Sequence, residues 1–474
     1  MTVAVKTPGD SSEKTIVYQL IVRARKALAG FADADQARTD EAVTALAWSL
    51  YNPAHAKELA ELAVADTKLG NVADKIVKKQ RKTFGTLRDL LRVKSVGIVE
   101  EDPARGLVKY AKPVGIVCLI TPSTNPGATP VNKAMMAIKG RNAVIIAGSP
   151  AGLRTTARAV EHMRAELKKI GAPEDLVQIL PHPASKEMTR ALMRAVDLVV
   201  ATGSQDNVRR AYSSGTPAIG VGAGNVPVII DETADLDDAA RKICESKTFD
   251  NATSCSSENS VVILEAVYDR AVAALERAGG YMASAVEKER IQRALWPDGH
   301  LSRSLIARDA DVFARGCGLP PDAEKKKFFM VEETGTGPDY PFSGEKLSLV
   351  LTVYRAGDFD GAIETANAIL AHQGRGHSLG LHTRDMSRGP TLAERSDVVR
   401  VLINQAHTFG NGGGFDNGLN FTLSMGCGTW GGNSISENLN YKHFLNITHL
   451  VTTIPEDKPS ERALFGAYWA KYGR

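Results

Sequence analysis

The stretch Asn251-Ala-Thr-Ser-Cys255-Ser-Ser-Glu258 sets one thiol among small and polar residues, and an apolar run over 261–264 follows it. The pattern predicts a tight loop feeding a buried strand. Small neighbours leave a sulfur open to attack a substrate carbonyl. The competing reading is a small buried hydrophobe, where most free cysteines sit. Three further segments bear on the choice. In Thr121-Pro122-Ser-Thr-Asn125-Pro126 an asparagine is held between prolines, and its amide could donate to an oxyanion; Asn and Pro equally make a plain turn. Ala201-Thr-Gly203-Ser204-Gln205 follows a strand pattern and opens a helix, where backbone N–H groups bind phosphate or Ser204 is simply an N-cap. Gly220-Val-Gly222-Ala-Gly224-Asn225 has alternate glycines that permit close backbone approach to a ligand or to Cys255, but it opens no helix and so does not meet the dinucleotide fingerprint. Together they supply a nucleophile, an amide donor and phosphate-friendly strand ends, the set needed for covalent chemistry at a carbonyl beside a dinucleotide.

Those residues need a scaffold. The 474 residues suffice for about three domain-sized units. With 43% hydrophobic and 24% charged residues the chain reads as globular, and 58 basic against 54 acidic side chains leave +4, no nucleic-acid footprint. The N-terminal segment is polar and lacks a signal-peptide core, and no run is long enough to span a membrane. Five scattered cysteines, none at metal-ligand spacing, fit a reducing cytoplasm and no metal site.

Apolar periodicity predicts a helical layer over 14–94, with the charged stretch 74–91 taken as solvated, then an extended hairpin over 96–111. From residue 113 strands and helices alternate. Strands are expected at 114–120, 142–147, 176–180, 197–201 and 226–230, with helices at 134–139 and 153–170. A second alternating block spans 261–402. The class is α/β, with parallel sheets that bind ligands at the carboxyl ends of their strands.

The ordered motifs also carry a resemblance. The segments 66–75, 121–126, 254–258, 345–348 (Glu-Lys-Leu-Ser), 376–383 and 426–438 are similar to those of the CoA-acylating aldehyde dehydrogenases, over nearly everything from Asp66 to His449. The resemblance implies an aldehyde dehydrogenase-like fold with a Rossmann-type cofactor domain (1–95 and 113–226), an α/β catalytic domain (227–446) and an oligomerisation hairpin and tail (96–112 and 447–474). It implies Cys255 as nucleophile, with Asn125 and the Cys255 N–H as oxyanion donors. Thr121, Pro122, Gly203, Ser204, Gly222, Gly224, Glu345 and Leu347 would lie against the cofactor, with Glu345 on the nicotinamide ribose. Leu349 stands where a proline is usual, and Asp66 where a glutamate is common.

Hydrolytic members carry a glutamate base in the segment matching 220–225; here no acid lies between Asp206 and Asp231. Coenzyme A, a strong nucleophile without help, is therefore the expected acyl acceptor. The rival readings are a hydrolytic enzyme with its base elsewhere and a non-catalytic assembly protein. Either NAD or NADP is expected. NADP use follows from Ser149, Pro150, Arg154 and Thr155, which have no acid before Glu161 and could take a 2′-phosphate. The hydroxyl-rich loop at Cys255, with 410–414, Thr429 and Trp430 expected to face it, suits a short polar aldehyde. Within the family the texture resembles acylating sulfoacetaldehyde dehydrogenases, with succinate semialdehyde, acetaldehyde and propionaldehyde as alternatives. Glu258 is read as either a carboxylate behind the site or a surface charge, and His377 as a core histidine or an acyl-site residue. A homodimer or homotetramer is expected.

Overall fold

The structure, a computed structural model, describes residues 12–474; the polar segment before Ser12 lies outside the described residues. Four helices open it: α1 (Ser12–Ala29), α2 (Gln36–Tyr51), α3 (Pro53–Thr67) and α4 (Val72–Leu91). Their starts follow from local chemistry. Asp35, Asn52 and Asn71 cap α2, α3 and α4 by accepting from backbone N–H groups, and Pro53 begins α3, where a missing N–H costs nothing. α1 buries Leu20 and Ala24 against a five-stranded sheet, and α2 adds Leu46 and Leu50 to the same core by packing on helices Ala128–Lys139 and Leu153–Lys169.

That sheet is all parallel. Its strands, in spatial order, are Val177–Ile179, Ala143–Ala147, Ile116–Ile120, Leu198–Ala201 and Ala218–Gly220. Ile120 pairs with both Ala147 and Ala201, so the central strands end level. The loops at Thr121, Gly148 and Thr202 therefore leave side by side, and the ligand crevice of a parallel sheet lies at this edge.

The second sheet has seven parallel strands in the order Gly280–Met282, Phe328–Glu332, Val350–Ala356, Glu258–Leu264, Val226–Ile230, Leu379–His382 and Val401–Ile403. The strand Glu258–Leu264 is central and buried throughout, so the loop before it is anchored in the core. A third, antiparallel sheet joins the expected hairpin, Gly97–Asp102 and Leu107–Pro113, to Leu445–Val451.

Two features bear on the expected division at residue 227. Strand Val226–Ile230 continues the first alternating series in sequence, and in the structure it pairs with Glu258–Leu264 and Leu379–His382 of the 227–446 segment in the second sheet. The glycine-rich link at 221–225 carries the chain across, which periodicity alone does not reveal. In addition, Leu439 and Phe444 pack into the core of the first sheet, and Asn142 donates to the Phe444 carbonyl at 2.8 Å. The end of the 227–446 segment thus returns to the first half.

The charged helix α4 is the largest departure. It is not a solvated layer: Lys75, Lys78, Lys79 and Lys82 are buried, while Val77 and Phe84 are exposed.

Candidate active site

A cavity of about 680 Å³ lies between the two parallel sheets, lined at their strand ends by loops from both. Its lining brings together Thr121, Pro122, Asn125, Ser149, Pro150, Gly203, Ser204, Gly222, Gly224, Cys255, Glu345 and Leu347, all expected from the sequence. Arg154 is not in the lining.

The nucleophile loop is built under strain. Asp250, Asn251 and Ala252 take φ of 50°, 53° and 60°, left-handed for three residues running, at roughly 1–3 kcal/mol each. Buried Asp250 holds this shape. Its carboxylate meets Lys75 at 3.0 Å and Lys78 at 2.6 Å, and accepts from Thr253 Oγ1 at 2.7 Å and from the Asn71 N–H at 3.0 Å. Burial alone would raise the Asp250 carboxyl; Lys78 and Lys75 outweigh that and hold it below the usual range. Cys255 follows, partly exposed to the cavity, whereas Cys118, Cys244, Cys317 and Cys427 are buried. Gly224 backs it: a Cβ there would strike the Cys255 carbonyl, so the alternate glycines serve close approach to the nucleophile. Burial, then the charge of Glu345, pushes the Cys255 thiol up to about 12, with Arg400 acting the other way. The resting sulfur is therefore protonated.

Lys78 also donates to Asn125 Oδ1 at 3.2 Å. With its oxygen engaged, Asn125 keeps its NH₂ end as the donor. One lysine thus ties the amide to the loop that carries the thiol. No sequence motif pointed to it; the signal available was lysine at 75, 78, 79 and 82, the spacing of one helix face.

At the other loops, Gly203 sits at φ 144° and Ser204 caps helix Gln205–Tyr212 by accepting from Asn207 N–H. Backbone donors at that helix start, with Lys186, Arg190 and Arg210 also in the lining, make an environment that fits a diphosphate. Glu345 is the one carboxylate in the lining among the described residues. Burial pushes it up to about 8, opposed by Lys247 and Lys346. Leu349 is buried and leaves Glu345 in the lining.

Several expectations are corrected. Asp66, from α3, takes the Arg154 guanidinium at 2.6 Å and accepts from Thr155 N–H at 3.1 Å and Thr155 Oγ1 at 2.8 Å, so an acid stands beside these residues in space; this corrects the local basis for a 2′-phosphate and not the NAD-or-NADP expectation. Arg154 is paired rather than free. Thr429 and Trp430 are exposed and outside the cavity, because the left-handed Gly428 (φ 61°) turns their segment outward. The 410–414 stretch is buried behind Lys82, which donates to the Gly412 carbonyl. Glu258 is buried, not a surface charge: it accepts from the His407 N–H at 3.1 Å, and burial pushes it up to about 7. His377 is a core histidine, fully buried beside Ser378 and absent from the cavity lining.

A model of the aldehyde dehydrogenase family matches residues 5–283, a span that holds Asn125, Gly203, Gly224 and Cys255. The chain belongs to the aldehyde dehydrogenase family. An acylating sulfoacetaldehyde dehydrogenase of Cupriavidus necator is 53% identical, over 97% of this chain and 93% of its own length. A second protein of that name, from Bilophila wadsworthia, is 43% identical over 97% of this chain and all of its own length. Among solved structures, an acetylating aldehyde dehydrogenase from Geobacillus thermoglucosidasius superposes with a TM-score of 0.90 at 33% identity, covering 94% of this chain and 98% of that one. The α/β aldehyde dehydrogenase fold expected from the motifs is the one observed. Among the described residues there is no cluster of potential metal ligands, and no helix is long and apolar enough to cross a membrane.

Proposed function

We propose that the protein is a CoA-acylating aldehyde dehydrogenase that converts sulfoacetaldehyde, NAD(P)⁺ and coenzyme A to sulfoacetyl-CoA and NAD(P)H, reversibly, in the cytoplasm. The observation that carries this reading is one cavity that joins an accessible thiol and a tethered amide donor, with no acid in the 220–225 segment. The names of the relatives, at 53% and 43% identity over almost their full lengths, support the acyl acceptor and the aldehyde.

In this mechanism Cys255 gives up its proton to solvent, the one proton released per turnover, and its sulfur adds to the aldehyde carbon. The Asn125 amide and the Cys255 N–H take the charge that develops on the carbonyl oxygen; one such donor contributes about 3–4 kcal/mol. The nicotinamide supplies the hydride acceptor for the thiohemiacetal carbon. Glu345 holds the ribose, and the N–H groups at Gly203 and Ser204 hold the diphosphate. A Cys255 thioester remains. The thiol of coenzyme A then attacks it, and the Cys255 sulfur leaves with a proton.

The hydrolytic alternative would need Glu345 as its base, since no other carboxylate lines the cavity among the described residues. The elevated affinity of Glu345 for a proton is the observation in its favour. Assaying reduced nicotinamide and product together separates the two. The acylating reading expects turnover only with coenzyme A present and one acyl-CoA per reduced cofactor; free sulfoacetate at an unchanged rate without coenzyme A would refute it. The ordered Cys255 and Asn125 pair also speaks against a purely structural assembly protein.

The hairpin and tail are assigned to oligomerisation as a homodimer or homotetramer. Strand Leu445–Val451 and helix Glu461–Tyr472 leave Leu450, Phe465, Tyr468 and Tyr472 about half-exposed or more, so the tail does not cover its own core. Such aromatics are enriched at interfaces. Deleting residues 451–474 should lower the mass measured by light scattering to that of a smaller assembly; an unchanged mass would remove the tail from the interface.

A further inference from the structure

A second, small pocket of about 30 Å³ opens where Asn125, Ser254 and Leu423 also line the main cavity. Its other walls include Lys78, Arg81 and Lys82 of α4, with Phe409 opposite. The space admits roughly two water-sized groups. Of the three cations only Lys78 has a counter-ion, Asp250. Among the described residues Arg81 and Lys82 form no ion pair. Lys82 is 8% exposed, and its ammonium donates to the Gly412 carbonyl at 2.7 Å. Arg81 donates from Nη2 to the Phe409 carbonyl at 3.3 Å, while its Nε is buried with no partner. Phe409, Phe415 and Phe421 surround the guanidinium at 5.3–5.6 Å and half-bury it; the Asp416 carboxylate acts on it only at longer range. Two cations so placed are costly unless an anion neutralises them.

We propose that this pocket seats the anionic head of the substrate, with Arg81 and Lys82 as the residues that select a sulfonate on the carbon next to the aldehyde. This rests on the reaction proposed above and adds the recognition site to it. The position agrees with the chemistry. The reacting carbonyl must lie between Cys255 and Asn125, and the pocket opens at Asn125 and at Ser254, the residue before the thiol. A head group one carbon from the carbonyl stays beside Asn125 and Ser254, the residues that the pocket shares with the main cavity. The sulfonate's three oxygens can take the Arg81 Nε–H and an N–H of Lys82 together. Burial, then the nearby charges of Arg81 and Lys78, lowers Lys82 to about 7, so the arriving anion also restores its full positive charge. The loops around Cys255 carry no such cation; the charge comes from a helix nearly two hundred residues earlier in the chain.

The test is kcat/KM with coenzyme A for sulfoacetaldehyde, succinate semialdehyde and propionaldehyde, in the wild type, Arg81→Met, Lys82→Met and Arg81→Lys. The wild type should prefer sulfoacetaldehyde over both others. The ratio of sulfoacetaldehyde to propionaldehyde should fall roughly 100-fold in each Met variant, the scale for stripping one partner from a buried charge pair. Arg81→Lys, which keeps the charge, should recover part of it. Should Lys82→Met fail to fold, Arg81→Met decides, since Arg81 is only half-buried. A ratio unchanged in Arg81→Met, or a wild type that prefers propionaldehyde or succinate semialdehyde, overturns the pocket assignment while leaving the acylating reaction intact. A wild type that acylates coenzyme A from none of the three refutes the reaction itself.

Discussion

Cys255→Ala should lower both aldehyde oxidation and acyl-CoA reduction by at least about 10⁴-fold, the scale for removing a covalent nucleophile. Nothing else in the cavity can replace it. The remaining four cysteines are buried, and the lining offers no second thiol among the described residues. Nicotinamide cofactor binding should survive, because the diphosphate and ribose contacts assigned to Gly203, Ser204 and Glu345 are untouched. Dissociation constants measured by cofactor fluorescence should therefore stay within a few-fold. Cys118→Ser, Cys244→Ala and Cys317→Ala should keep most of the turnover. Cys427 packs against Gly222 at the back of the site, and its alanine variant should show a modest loss. If Cys255→Ala kept more than a few per cent of wild-type turnover, the covalent route would be wrong.

The second large effect belongs to Lys78. It neutralises Asp250 at 2.6 Å, donates to Thr253 Oγ1 at 2.9 Å and engages Asn125 Oδ1 at 3.2 Å. Lys78→Met leaves the Asp250 carboxylate with Lys75 alone and frees the Asn125 amide to rotate. Breaking a buried pair from one side costs about 3–5 kcal/mol, and loss of an oriented oxyanion donor lowers kcat by about 10²–10³-fold. Lys79→Met is the contrast. Lys79 has no carboxylate partner, reaches only the Lys75 carbonyl at 3.5 Å, and burial, then the charge of Lys75, lowers it to about 7. Removing it should cost less than about 1 kcal/mol, and relief of the charge crowding could even stabilise. Thermal inactivation and kcat measured on both variants decide the matter. Equal losses would mean that the lysine face acts as a block of charge, not through the Lys78 contacts.

Much of the site was legible because its chemistry is local. A thiol among small residues, an asparagine between prolines and alternate glycines each announce a loop, and parallel strands bring such loops to one edge. The register that levels Ile120 with Ala147 and Ala201 is what converts those separate motifs into a single cavity. What stayed hidden depended on contacts across long stretches of chain. Asp66 reaches Arg154 and Thr155 from another helix, so the local absence of an acid misled. Strand Val226–Ile230 has the same apolar texture as its predecessors, and only the turn at 221–225 decides which sheet it joins. The charged face of α4 was assigned to solvent because lysines are rarely buried unpaired. Here one aspartate, three backbone carbonyls and the rings of Phe249 and Phe421 make that burial tolerable, and the spacing of Lys75, Lys78, Lys79 and Lys82 was the readable trace.

The central claim is that the acyl group passes through Cys255. The most direct measurement incubates the wild-type protein with an acyl-CoA substrate in the absence of reduced nicotinamide, quenches in acid and maps the peptides by mass spectrometry. The account predicts one acyl group per chain, on the peptide that carries Cys255, released when free coenzyme A is added before the quench. Recovery of the acyl group on another residue, or no covalent adduct alongside full turnover, would contradict it.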